Sequence, residues 1–246
     1  MKNKIFIVSA FILSVVYIIL SLTGIAGISS PQGGLIYRII MIFVLFYACF
    51  RAFAGVAATG SHDAILTGSL GLGVLAINEV YALCYIYLLK GSAADITVSN
   101  YSRNCAYLFF AAALVLMIPD TMKSKKALRV IVNILSPSAI LMIFYGVIAN
   151  DPRILYSSAL LIVTLCILPA VILLITGGRD TKLFSGSIIS ISVLDTLGRL
   201  SIIYGESSYW RDINLSLYPV VYLLIGISLL RIERVNTAKK AVSGHR

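Results

Sequence analysis

The sequence predicts an all-α fold, a polytopic bundle of transmembrane helices with about eight spans. Three observations predict it. Apolar residues make up 59% of the 246 residues and charged residues only 12%, against about half and about a quarter in ordinary globular domains. The apolar residues fall in runs of about 20, the length that crosses a bilayer core as a helix. The runs do not alternate polar with apolar, so helices rather than barrel strands satisfy their backbone groups. This pattern excludes a soluble enzyme, a disordered chain and a nucleic-acid-binding module. The longest polar stretches, about 14 to 16 residues, are too short for an appended soluble domain.

The spans follow in order. Span 1 covers residues 5–25, after Lys2 and Lys4. Span 2 covers 35–57 and contains Arg38 and Arg51, and span 3 covers 66–89 and contains Asn78 and Glu79. A polar loop over 90–103 leads to span 4, residues 104–118, which ends in a compact basic loop around Lys123, Lys125 and Lys126. Span 5 covers 130–148 and span 6 covers 154–175. Span 7, residues 184–204, carries Asp195 and Arg199, and span 8 covers 213–230. Residues 1–230 are thus one transmembrane domain, followed by a basic tail over 231–246.

Orientation follows from the positive-inside bias. With the N-terminus in the cytoplasm, inner segments hold 14 of the Lys and Arg residues and outer segments hold 5, with Arg199 left in the membrane. Both termini are therefore expected on the cytoplasmic side, in the plasma membrane. A competing reading makes span 1 a cleaved signal peptide, on its basic start and the small Gly24 and Ala26. Its apolar run is longer than a typical signal core. The net charge of +10 belongs to these loops and to topology, not to nucleic acid.

A duplication is suggested by span 3, which opens with Gly68-Ser69 and carries Asn78-Glu79, and span 7, which opens with Gly186-Ser187 and carries Asp195. Two parallel four-helix halves, 1–126 and 127–230, would account for the likeness, as in known transporter folds. Chance likeness between apolar helices is the alternative. Cys49, Cys84, Cys105 and Cys166 lie in or beside apolar runs and read as small buried hydrophobes, with a Cys84–Cys105 disulfide as the one alternative. Ser69 with Gly73, and Ala54 with Ala58, are small residues four apart that mark close helix contacts. Pro137, Pro169 and Pro219 lie inside spans, and Ser136 and Ser138 flank the first, where hydroxyls can serve freed backbone groups.

Ionisable residues deep in a span are costly and mark candidate sites. Glu79, Asp195 and Arg199 lie deep, and Arg38 lies nearer the outer end of span 2. Glu79 falls roughly 2 Å outward of its span's midpoint at about 1.5 Å per residue. Asp195 and Arg199 are spaced i, i+4 and share a helix face. Glu79, Asp195, Arg199, Arg38 and Asn78 are therefore expected to form an outward-facing polar pocket. Tyr17, Tyr81, Tyr85, Tyr145, Ser157 and Ser158 lie at similar depth, although tyrosine also gathers in interfacial belts. The bland alternative is that the charges pair as interhelical glue.

No HExxH, GxSxG or metal-ligand cluster is present, so no catalytic residue, metal or cofactor is assigned and an enzyme is disfavoured. A carrier or permease for a small ion or polar solute is the leading expectation. A membrane receptor or accessory subunit that works through a partner protein comes second, since no output domain follows span 8. A membrane enzyme acting on lipid comes third. The expected partners are membrane lipids and the solute, and a partner protein on the second reading.

Overall fold

The structure, a computed structural model, describes residues 8, 11–12, 15–20, 23, 31–59, 63–91, 98–119, 121–149, 152–204 and 217–232. Among these residues it is helical, without strands. The helices are α1 (Pro31–Thr59), α2 (Asp63–Leu83), α3 (Val98–Met117), α4 (Lys123–Ala149), α5 (Pro152–Thr176), α6 (Arg179–Tyr204) and α7 (Leu217–Ile232). One π-helical turn, Cys84–Leu88, continues α2. A helix overlaps each expected span from the second to the eighth, with residues 213–216 of the eighth outside the described residues. The described residues of the first, up to residue 20, are also helical. The tail beyond Ile232 and the point at which a signal peptide would be cut lie outside the described residues.

Four segments are long and apolar enough to cross a membrane: Gly33–Ala54, Asp63–Leu88, Lys125–Gly146 and Ser157–Thr176. Two shorter apolar helices, Tyr101–Met117 and Leu217–Ile232, accompany them. The 26-residue α6 is richer in serine and carries Asp195. Three of its hydroxyls fold back on their own helix: Ser187 donates to the Leu183 carbonyl, Ser190 to Gly186 and Thr196 to Ser192. Such i−4 bonds satisfy these three donors among apolar neighbours.

Polarity is arranged inside out. Phe43, Phe50, Ile77, Leu160 and Ile175 are exposed. Asn78, Glu79, Asn104, Ser192 and Asp195 are buried. A water-soluble protein would suffer from such an apolar surface, whereas lipid accepts it. Helix α4 is the extreme case, with Ile134, Leu141, Phe144 and Ile148 all turned outward and only 17% of its apolar window buried.

Helix α3 is the hub, packed against α2, α4, α5 and α6. Its Ala106, Tyr107, Phe110, Ala111, Ala113 and Leu114 are all buried. Small residues set the spacing. A Cβ on Gly71 of α2 would stand 2.8 Å from Phe110 Cε1 and 3.2 Å from the Ala106 carbonyl oxygen. A Cβ on Gly226 of α7 would stand 2.6 Å from the Ala48 Cβ of α1. The expected contact at Ser69 and Gly73 is present: Cys49 Sγ–H of α1 donates to the Ser69 carbonyl at 3.4 Å, and a Gly73 Cβ would lie 3.3 Å from that sulfur. Ala54 is exposed, and the side chain of Ala58 lies outside the described residues. All four cysteines are free, so Cys84 and Cys105 form no disulfide. At Pro137 the Ser138 hydroxyl donates to the Ile134 carbonyl at 3.1 Å. It serves the neighbour of Asn133, whose carbonyl is the one that proline deprives of a helical donor.

Candidate functional site: a buried charge cluster between four helices

The contacts run antiparallel along α2 and α3: Glu79 meets Arg103, Gly71 meets Phe110, and Gly68 meets Ala113. The same order brings Arg38 of α1 and Asp195 of α6 to the level of Glu79 and Arg103. Arg38 Nη1 lies 2.9 Å from Glu79 Oε2. Arg103 Nη2 lies 3.3 Å from Glu79 Oε1, and its Nη1 lies 3.6 Å from Asp195 Oδ1. One guanidinium thus spans two carboxylates on different helices, a task that suits the planar fork of arginine rather than the point charge of lysine.

Asp195 is held further by two phenols. Tyr107 of α3 donates to Oδ2 at 2.6 Å, and Tyr218 of α7 donates to Oδ1. The Tyr107 oxygen also lies 3.3 Å from the Ile191 carbonyl, but a phenol has one hydrogen, and the shorter, charge-assisted contact takes it. Arg103 Cζ sits over the Tyr218 ring, 5.5 Å from its centroid, in cation–π range. Tyr37 and Tyr222 lie within electrostatic reach of Glu79 and Arg103.

The two signs are not equally accessible. The Glu79 and Asp195 side chains are each 2% exposed, whereas Arg38 is 21% and Arg103 25% exposed. The carboxylates are thus buried, and the guanidiniums are partly exposed. Asn78 is buried beside Glu79, and neither atom of its amide has a hydrogen-bond partner among the described residues. The hydroxyl of Ser192, one turn before Asp195, likewise has none among them.

Of the residues expected to share a pocket, the structure brings Arg38 and Glu79 into direct contact and joins Asp195 to them through Arg103. Asn78 lies next to Glu79 in the buried interior. Arg199 lies on α6 one turn beyond Asp195, with its side chain outside the described residues. Tyr145 is 62% exposed and Ser157 is exposed, so both face away from the interior. Tyr17 is buried and donates to the Gly33 carbonyl at 2.8 Å, with its ring 5.8 Å from that of Tyr37.

Sequence reasoning missed Arg103, Tyr107 and Tyr218. The sequence pattern puts Arg103 in the loop over 90–103, but α3 begins at Val98 and carries it inside the helix. Its charge is neutralised by Glu79 and Asp195, so it need not mark the end of a span. One signal was available: Arg103 and Tyr107 are spaced i, i+4 and share a face.

Among the described residues no group of three His, Cys, Asp or Glu residues is placed to hold a metal ion. No family model, curated protein or solved structure matches the chain. The class is defined by the fold: a helical protein with four helices long and apolar enough to cross a membrane, compatible with an integral membrane protein.

Proposed function

We propose that the protein is an eight-span membrane protein that binds a small ion or polar solute at the Arg38–Glu79–Arg103–Asp195 cluster, in the manner of a carrier or permease. The cluster is the observation that carries this reading: four charges from α1, α2, α3 and α6 meet inside an apolar bundle. A charged residue at mid-membrane costs about 2.5–3.5 kcal/mol on insertion scales unless it is paired or hydrated. Buried ion pairs can often be replaced by apolar residues without loss of stability, so holding helices together is a weak reason to keep four of them. The partial exposure of both arginines supports access to the cluster.

The charge bias supports both termini in the cytoplasm of a plasma-membrane protein, which sets Arg38 and Arg103 in the outer half of the membrane. The pairing also supports a duplication. Glu79 on α2 meets Arg103 on α3, and Asp195 on α6 meets Tyr218 on α7, so corresponding spans of the two halves interact alike.

Reconstitution into proteoliposomes tests the reading. Solute flux that Glu79→Gln abolishes, with folding retained, is the expected result. Saturable binding without flux would instead favour a receptor that signals through a partner. Neither binding nor flux in folded protein would leave the cluster as interhelical glue and overturn the proposal.

A further inference from the structure

We infer that the cluster is an anion site, in which a carboxylate or phosphate group of the ligand takes the spare N–H donors of Arg38 and Arg103, with the Asn78 amide as a third donor. The inference rests on the reading above that the cluster binds a solute, and it names the chemical class.

The carboxylates cannot be the contact surface. Each of their oxygens already accepts a donor: Glu79 from Arg38 and Arg103, Asp195 from Tyr107 and Tyr218, with Arg103 as its ion-pair partner at 3.6 Å. A cation at these oxygens would have to sit beside the positive guanidiniums and share the oxygens with the donors already there. The guanidiniums are the opposite case. Each has five N–H groups. Arg38 spends Nη1 on Glu79, and Arg103 spends one Nη on each carboxylate. Their other donors make no hydrogen bond among the described residues, and both side chains are partly exposed. Glu79 holds one guanidinium on each of its two oxygens, and an acceptor that reaches both completes an alternation of charge.

Asn78 supplies an independent sign. Its amide is 99% buried by its 1% exposure, with nitrogen and oxygen both unpartnered among the described residues. Buried polar groups in native proteins are paired with few exceptions, so this amide awaits a partner. Its position fits the site. Gly71 touches Phe110, and Asn78 and Arg103 each lie seven residues, about 10 Å, from that contact in the same direction on antiparallel helices. The face of α2 that carries Gly68, Gly71 and Asn78 is the one packed on α3.

A phosphate can come from a free solute or from a lipid headgroup, so the test has two arms. The full chain is placed in phosphatidylcholine vesicles and titrated with the choline salts of phosphate and succinate against choline chloride at equal ionic strength. The melting temperature is followed. A second set of vesicles contains phosphatidylglycerol. Saturable stabilisation by phosphate or succinate, weakened about tenfold or more by Arg38→Gln or Asn78→Ala, supports the inference with a free anion as ligand. Stabilisation by phosphatidylglycerol alone, lost in the same variants, supports it with a headgroup as ligand. A cooperative melt of each variant without ligand, compared with that of the wild type, shows that it is folded before titration. If neither anion source acts while a cation or uncharged solute binds in a Glu79-dependent manner, the anion inference is overturned and the proposed function stands. If no ligand of any charge binds, both fall.

Discussion

The Arg103 guanidinium lies 3.3 Å from Glu79 on α2 while its other terminal nitrogen reaches Asp195 on α6, so one side chain from α3 ties two helices together. Removing it would leave two buried carboxylates short of a cation. Arg103→Ala is expected to destabilise the protein by about 3–5 kcal/mol, the usual result of breaking a buried pair from one side. Arg103→Lys should lie between, because a point charge cannot span both acids. Thermal melts of the purified variants check the order.

Glu79→Gln separates binding from scaffolding. The amide keeps the shape of the side chain and loses the charge that holds Arg38 and Arg103. If the cluster binds solute, the variant folds and loses activity. If the cluster is only glue, its melting temperature drops and activity stays proportional to the folded fraction.

Gly71 sits where α2 crosses Phe110 at a distance no side chain tolerates. Gly71→Val is expected to cost about 1–3 kcal/mol through overpacking. Trimming the opposing ring with Phe110→Leu should recover part of that loss. Equal, additive losses in the double variant would show that the two positions do not share the contact.

Topology is tested from both sides of the membrane. A C-terminal fluorescent fusion should be bright, and a cysteine at Ser99 in a cysteine-free background should react with an impermeant reagent from outside. An N-terminal tag found outside, or lost from the mature chain, would remove the eight-span arrangement.

The basic tail after residue 230 carries Arg231, Arg234, Lys239, Lys240 and Arg246 against Glu233. On the anionic inner leaflet each basic residue near the surface contributes about 1 kcal/mol before screening. Charge-neutral tail variants should therefore release a tail peptide from anionic vesicles. Unchanged vesicle binding would leave the tail as a topology anchor only.

The helices were legible in the sequence because a run of about 20 apolar residues has no other way to satisfy its backbone in lipid. Glu79, Asp195 and Arg38 stood out for the same reason, since a charge in such a run needs a partner at its own depth. Depth is a property of sequence position, at about 1.5 Å per residue, and Arg38 and Glu79 do meet. The direction in which a side chain points around its helix is another matter. In a soluble helix the polar stripe reveals the buried face. Here lipid and core are both apolar, so that stripe is missing and does not separate Tyr145 from Tyr218. Only the packing turned Tyr145 outward and brought Tyr218 onto Asp195. It also decided that Arg103, positioned like an end-of-span charge, belongs to the interior, because its two acids lie on helices far apart in the chain and near only in the fold.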